Sequence, residues 1–344
     1  MTEKNSDTLP VSSPSVTDQA VCAVLVTYNR KGLLIETITG LLIQSAALKK
    51  ILLVDNQSSD GTAEILQEKG WLDSLPPTSL DENFHARKNL DNGMEFHYIR
   101  SCRNIGGAGG FSLGLKTAFE DRARYDHFWL MDDDVEPDET ALEYQLGFTD
   151  LSCCITPSKR ALDGEILEWY GWLDLKTLRE KPIPSDHFQG DLAFVNMTCF
   201  EGMLVSRELV AKIGYPDARF FIYGDDVVYG YQASQFTRPI YLTRPTFVKK
   251  LKKKNFKKRY GSYFPFASMN LAYFLMRNYL LKAKMIKRAT PSKINMSRVY
   301  LYHFYYLIKQ VTKAILIERS LKKIGRLLKG FRDSFSIANH DEVN

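Results

Sequence analysis

The chain has 344 residues, of which 44% are hydrophobic and 25% charged, with a formal net charge of +6. That length and apolar content support a substantial core in one large domain or two modest ones, which excludes a chain disordered throughout. Its five cysteines, Cys22, Cys102, Cys153, Cys154 and Cys199, are odd in number and contain no Cys-x-x-Cys pair. A reduced, cytosolic compartment without a zinc site is therefore expected.

Residues 1–19 are rich in Ser, Thr, Asp and Pro, and they predict a disordered tail that lacks the pattern of a secretory signal. From Val21 the chain alternates. Val21 to Val26 reads as a buried strand, and Leu34, Ile38, Leu41 and Leu42 recur at helical spacing after Lys31. Ile51 to Val54 is the next strand, with Asp60 as N-cap of a helix over Ala63 to Trp71. Glu95 to Ile99 gives a third strand, Phe111 to Phe119 a third helix and His127 to Met131 a further strand. Such alternation predicts an α/β fold with a mostly parallel sheet covered on both faces, and ligands gather at the carboxyl ends of such strands.

Every polar motif lies at one of those ends. Asp132, Asp133 and Asp134 directly follow an apolar strand, where Asp-x-Asp can offer two oxygens to a hard divalent ion that also grips a diphosphate. The plainer alternative is an acidic N-cap for a helix, with Pro137 in its first turn. Asp55 and the Thr27 segment supply acceptors suited to a base and ribose. The glycines between Gly106 and Gly110 let backbone N–H groups approach an anion or sugar closely, or simply permit close helix packing. Two phosphate-binding fingerprints are excluded on spacing. No Gly-x-Gly-x-x-Gly follows the first strand, and no Gly-x-x-x-x-Gly-Lys-Ser/Thr occurs.

In order and spacing, Val26-Thr27-Tyr28-Asn29-Arg30, Val54 to Thr62, Asn104-Ile105-Gly106-Gly107 and Leu130 to Asp134 resemble the family 2 glycosyltransferases with the GT-A fold. The resemblance continues through Phe200 to Leu204 and Ile213 to Val227, where it is nearest the galactofuranosyltransferase and rhamnosyltransferase branch, and it covers about residues 21–245. It implies a Rossmann-like nucleotide-diphospho-sugar transferase sheet and inverting transfer onto a glycan or lipid-linked glycan of a bacterial surface polysaccharide. UDP-galactofuranose is the implied donor, dTDP-rhamnose the alternative, and Mn²⁺ or Mg²⁺ the cofactor. Carried over by residue, Thr27, Tyr28, Asn29, Arg30, Asp55, Asn104, Gly106 and Gly107 bind the donor, and Asp133 faces its sugar. Asp132 and Asp134 hold the metal. Asp226 is the catalytic base, and Asp225 orients it or the acceptor. The chemistry agrees, because a base on the acceptor and a cation on the leaving group need different residues.

The chain departs from that branch at Val228 and Gln232, where an acidic residue and an Arg are usual, and at Val248-Lys249-Lys250, where a metal-ligating His is common. Either the ion relies on Asp132 and Asp134 with phosphate and water, or a lysine partly replaces its charge. These departures keep open a non-catalytic subunit that binds the nucleotide-sugar at a membrane. Asp225 and Asp226 also suit the N-terminus of a helix beginning near Val227. Trp169 and Trp172 offer flat faces to an acceptor sugar, with one of the two expected to serve packing instead.

The expected layout is a tail to residue 19, a catalytic domain over 20–248 with its donor half to about 140 and acceptor half beyond, a basic helical region over 249–333 and a short tail. The basic run from Lys249 to Arg259 lacks any nucleic-acid reading module. Further on, Leu321, Ile324, Leu328 and Phe331 form a stripe flanked by Lys322, Lys323, Arg326 and Lys329. It fits a helix lying on an anionic membrane, or one packed on the catalytic domain or on another subunit of a homo-oligomer. No stretch there is long enough to span a bilayer.

Overall fold

The computed structural model describes residues 19–46, 48–167, 171–250, 256–259, 262–265 and 268–339. At its centre is β1 (Val21–Thr27), in which all seven residues are buried. A strand without a polar face can be satisfied only between two neighbours and under cover on both sides. Then come α1 (Lys31–Leu42), β2 (Leu48–Asp55), α2 (Thr62–Glu68), β3 (Phe84–Asn89), β4 (Glu95–Arg100), α3 (Gly106–Phe119) and β5 (His127–Asp132). The chain continues through β6 (Val135–Pro137), α4 (Ala141–Leu146), β7 (Cys154–Ala161), β8 (Trp172–Asp174), β9 (Arg179–Lys181), β10 (Phe188–Gln189), β11 (Leu192–Phe194) and β12 (Glu201–Ser206). It ends with α5 (Arg207–Ile213), α6 (Asp225–Ala233), β13 (Ile240–Lys249), the hairpin β14 (Phe256–Arg259) and β15 (Ser262–Pro265), and the helices α7 (Met269–Ala289), α8 (Met296–Lys313) and α9 (Leu321–Asn339).

Eleven strands form one mixed sheet in the order β10-β11-β13-β7-β12-β5-β1-β2-β4-β3, with β6 against β13. β5, β1, β2 and β4 are parallel to one another, and β7 is parallel to β13; β12 runs antiparallel between β5 and β7. Because the central strands share direction, their carboxyl ends align. Thr27 stands opposite Asp55, Asp55 opposite Arg100, and Val26 opposite Asp132.

Local expectations are corrected at three places. Asp60 does not cap α2; its carboxylate accepts the Lys31 N–H of α1 at 2.9 Å and the Thr62 hydroxyl at 2.6 Å. α3 begins at Gly106 rather than Phe111, so the glycine run forms its first turn. Two later glycines press α3 onto the sheet: a Cβ at Gly110 would lie 2.6 Å from Val26 and one at Gly114 2.6 Å from Val24. Pro137 ends a strand that pairs with β13 instead of opening a helix.

α7 joins the catalytic body, with Leu280 and Leu281 packed among Phe220, Val227 and Val228. The apolar stripe expected on α9 is divided. Ile324 and Phe331 pack around Leu327 and Met276 against α7, whereas Leu321 and Leu328 remain outside. Among the described residues no helix is long and apolar enough to cross a membrane.

Candidate active site

The ends of β1 and β2 are locked together by short polar contacts. Asn29, at φ +53°, donates its N–H to the Ser58 hydroxyl at 2.9 Å and accepts the Ser59 N–H at 2.7 Å. Tyr28 stands exposed at the same turn. Thr27 donates its hydroxyl to Asp133 at 2.7 Å, and Arg30 Nη1 lies 3.1 Å from the other Asp133 oxygen. Asp133 is thus buried against the end of β1 and is not among the residues lining the adjacent cavity. Asp55, expected to face a nucleoside, is turned inward. It is 0% exposed and accepts from the Ser58 N–H at 2.7 Å, the Tyr98 hydroxyl at 2.7 Å and Arg100 at 3.1 Å. Its part in this structure is to brace the strand ends. Asn104 accepts the Gly106 N–H at 2.8 Å. Gly106, at φ +74°, has the Phe221 carbonyl oxygen only 2.0 Å from where a Cβ would stand.

A cavity of about 460 Å³ opens beside these ends, and its lining includes Arg30, Asp132, Asp134 and Glu201 together with Asp225 and Asp226. Carboxylate oxygens of Asp132, Asp134 and Glu201 lie within 4.8 Å of one another. Glu201 was not foreseen as a site residue. It opens β12, whose antiparallel register against β5 brings it opposite Met131.

These three all-oxygen donors have the chemistry a hard divalent ion prefers. Two of them, Asp134 and Glu201, are already engaged by the protein's own cations. Lys249 Nζ lies 2.6 Å from Asp134 Oδ1 and 2.6 Å from Glu201 Oε1. Arg30 Nη1 is 3.3 Å from Asp134 Oδ2, and Lys159 Nζ is 3.0 Å from Glu201 Oε2. Burial alone would raise the Glu201 carboxyl, yet Lys159 and Lys249 outweigh it and hold the group at about 2. Burial likewise works against the Lys249 ammonium, but Glu201 and Asp134 keep it firmly protonated. Asp132 is pushed well up by burial and by the charge of Asp134.

Asp225 and Asp226 form the first turn of α6, in accord with a helix N-terminus, and both line the cavity. Burial pushes Asp225 up to about 6, with the charge of Asp217 adding to the effect. Burial also raises Asp226, and the neighbouring Asp225 charge raises it further. The loop before them carries Phe221, Tyr223 and Gly224 at φ +62°, +71° and +94°. Such backbone persists only when its surroundings hold it. Asn278 of α7 does so, its amide lying 3.0, 2.8 and 2.9 Å from the carbonyls of Phe220, Ile222 and Tyr223. Arg277 donates to the Arg219 and Phe220 carbonyls, and the Ala108 N–H of α3 to that of Phe221 at 3.1 Å. α7 also brings Tyr279 and Lys282 to the cavity wall. Nothing in the local sequence around residue 278 signals this role, because it depends on a fold-back of more than fifty residues.

Of the expected donor and metal residues, Arg30, Gly107, Asp132 and Asp134 line the cavity, whereas Thr27, Tyr28, Asn29, Asp55, Asn104, Gly106 and Asp133 do not. Trp172 is not among the lining residues. It lies in β8, pairs with Lys181 of β9 and meets His187 edge to face at 4.6 Å, while Trp169 lies outside the described residues. The aromatic wall consists instead of Phe111, Phe200, Phe220, Tyr223 and Tyr279.

Comparisons with known proteins agree with this architecture. The family model "Glycosyl transferase family 2" matches residues 22–212. Galactofuranosyltransferase GlfT1 of Mycolicibacterium smegmatis is 29% identical over 220 residues, 61% of this chain and 63% of that protein's length. GlfT1 of Mycobacterium tuberculosis is 27% identical over 218 residues, 61% of this chain and 62% of that protein. Among solved structures, S. aureus TarS in complex with UDP superposes with a TM-score of 0.54 at 12% identity, covering 93% of this chain and 81% of TarS. The complex with UDP-GlcNAc gives 0.54 at 14% identity over the same shares. The likeness to TarS supports the GT-A fold. The chain belongs to glycosyl transferase family 2.

Proposed function

We propose that this protein is an inverting glycosyltransferase that moves galactofuranose from UDP-galactofuranose to a hydroxyl of a bacterial surface glycan. The observation that carries the reading is one cavity whose lining joins Arg30, Asp132 and Asp134 with Asp225 and Asp226. An acceptor hydroxyl beside Asp225 and Asp226 attacks the anomeric carbon. The new carbon–oxygen bond forms as the bond to the diphosphate breaks, the hydroxyl proton passes to Asp226, and the nucleoside diphosphate departs with the electron pair. Asp226 suits the base role because it lines the cavity and its raised proton affinity favours taking up the hydroxyl proton. Asp225 holds the same turn and borders the acceptor side. The sugar is inferred from the relatives named galactofuranosyltransferase.

Incubation with UDP-galactofuranose, dTDP-rhamnose and UDP-GlcNAc, followed by nucleotide release, tests this. Release from UDP-galactofuranose in preference to the others supports the assignment; release from dTDP-rhamnose alone replaces the sugar. Binding without turnover for all three would make the chain a non-catalytic nucleotide-sugar subunit.

A lipid-linked acceptor reached at an anionic membrane completes the proposal. Along α8, Leu301, Phe304, Tyr305 and Ile308 are 70%, 53%, 54% and 50% exposed, and Ile315 and Leu316 just beyond it are exposed as well. Arg298, Lys309, Lys313, Arg319 and Lys322 stand along the same region. Apolar insertion and roughly 1 kcal/mol per basic side chain near an anionic surface favour a peripheral position. Co-sedimentation with phosphatidylglycerol vesicles in low salt should capture the protein, and Leu301→Glu with Ile308→Glu should release it. Equal capture by neutral vesicles would count against the charge argument.

A further inference from the structure

The acidic cluster is already balanced by the protein's own cations. Asp132, Asp134 and Glu201 face Lys249, Lys159 and Arg30, and both oxygens of Asp134 and both of Glu201 are engaged. A divalent ion placed among these carboxylates would meet the Lys249 ammonium, which bridges two of the three, and like-charge repulsion would force it out.

Lys249 is held there by backbone. β6 follows the acidic triplet directly and pairs antiparallel with the end of β13, setting Val135 opposite Lys249. The next residue, Lys250, donates its N–H to the Asp134 carbonyl at 2.9 Å. Strand pairing thus delivers the ammonium beside the triplet, and release of Lys249 alone would leave buried Asp134 and Glu201 less well compensated.

We infer that Lys249 is a protein-borne cation acting with Arg30 on the donor's diphosphate, so that this chain binds nucleoside diphosphate without a divalent ion. The inference rests on the nucleotide-sugar reading above. Lys249 does not itself line the cavity but spans Asp134 and Glu201, which do, so its charge acts on the diphosphate through that pair. Arg30 contacts Asp133 and Asp134 through Nη1 alone, and its side chain is 44% exposed, so its remaining donors are available at the cavity wall. The leaving diphosphate then meets fixed positive charge that needs no prior metal loading.

Calorimetric titration of the full chain with UDP, in EDTA and in Mn²⁺, tests the inference, together with electron paramagnetic resonance of Mn²⁺ added to protein and UDP. In the wild type, affinity for UDP should change by less than about threefold between the two buffers, with no stoichiometric Mn²⁺ site. Lys249→Gln should weaken UDP binding in EDTA by about tenfold or more, and it should gain a Mn²⁺ signal as the carboxylates are vacated. Lys249→Arg should retain metal-free binding. Wild-type binding of UDP that requires Mn²⁺, or one tightly held Mn²⁺ per chain, overturns the role of Lys249 while leaving the donor reading intact. Failure to bind UDP in either buffer overturns both. The wild-type measurements decide the matter even where a variant fails to fold.

Discussion

Replacing Asp225 by Asn should stabilise the protein at neutral and alkaline pH while impairing its activity. Asp225 is 7% exposed at the start of α6, and its carboxyl is raised from 3.8 to about 6 by burial and by Asp217. In the unfolded chain the group ionises near its ordinary value. Between that value and about 6 the unfolded state loses its proton first, so the folded state carries a growing penalty. Above the folded value the penalty is complete, at about 3 kcal/mol for a shift of roughly two units. Asn has no proton to lose and retains an oxygen that accepts hydrogen bonds. The expected gain from Asp225→Asn is therefore close to zero at about pH 4, grows through the interval and reaches about 3 kcal/mol by about pH 8. Urea unfolding of both proteins at several pH values, compared at constant m, measures it. A gain that does not vary with pH, or a loss on the alkaline side, would refute the reasoning. The acceptor-side role proposed for Asp225 would account for the wild type's tolerance of this penalty, an exchange of stability for function.

Asp226→Asn should reduce transfer by about 10²- to 10⁴-fold with UDP affinity unchanged, and full activity would remove the base assignment. In the wild type, activity should fall on the acid side through an apparent value above the ordinary carboxylate range, because burial and mutual repulsion raise both members of the pair. Asn278→Ala leaves three carbonyls of the Phe220–Tyr223 segment without their amide donor. A loss of about 1–3 kcal/mol in unfolding free energy, with a lower kcat, is expected, and an unchanged kcat would show that the loop holds its shape without α7. Gly106→Ala should disrupt the contact between α3 and this loop, since its Cβ would lie 2.0 Å from the Phe221 oxygen at φ +74°. Thermal unfolding indistinguishable from wild type would show that the two segments part easily.

The sequence by itself determined the donor half of the fold. Val21–Thr27 and Ile51–Val54 are apolar without alternation, so each had to be an interior strand, and parallel neighbours necessarily bring Thr27, Asp55 and Asp132 to one edge. Asp225 and Asp226 were legible as a helix start, and the structure puts them in the first turn of α6 and in the cavity lining. Periodicity on α9 identified an amphipathic helix without telling which face another helix would cover; packing against α7 buries Leu327 and leaves Leu328 outside.

Only the tertiary structure decided what stands beside the acidic triplet. Lys249 is 115 residues from Asp134 and meets it because β13 pairs with β6; Glu201 arrives by an antiparallel strand, and Asn278 by a helix beyond the sheet. Local sequence encodes which residues a strand or helix will bury, through the period of its side chains. It does not encode which distant charge will balance a buried carboxylate, because that depends on sheet order and register set by the whole chain.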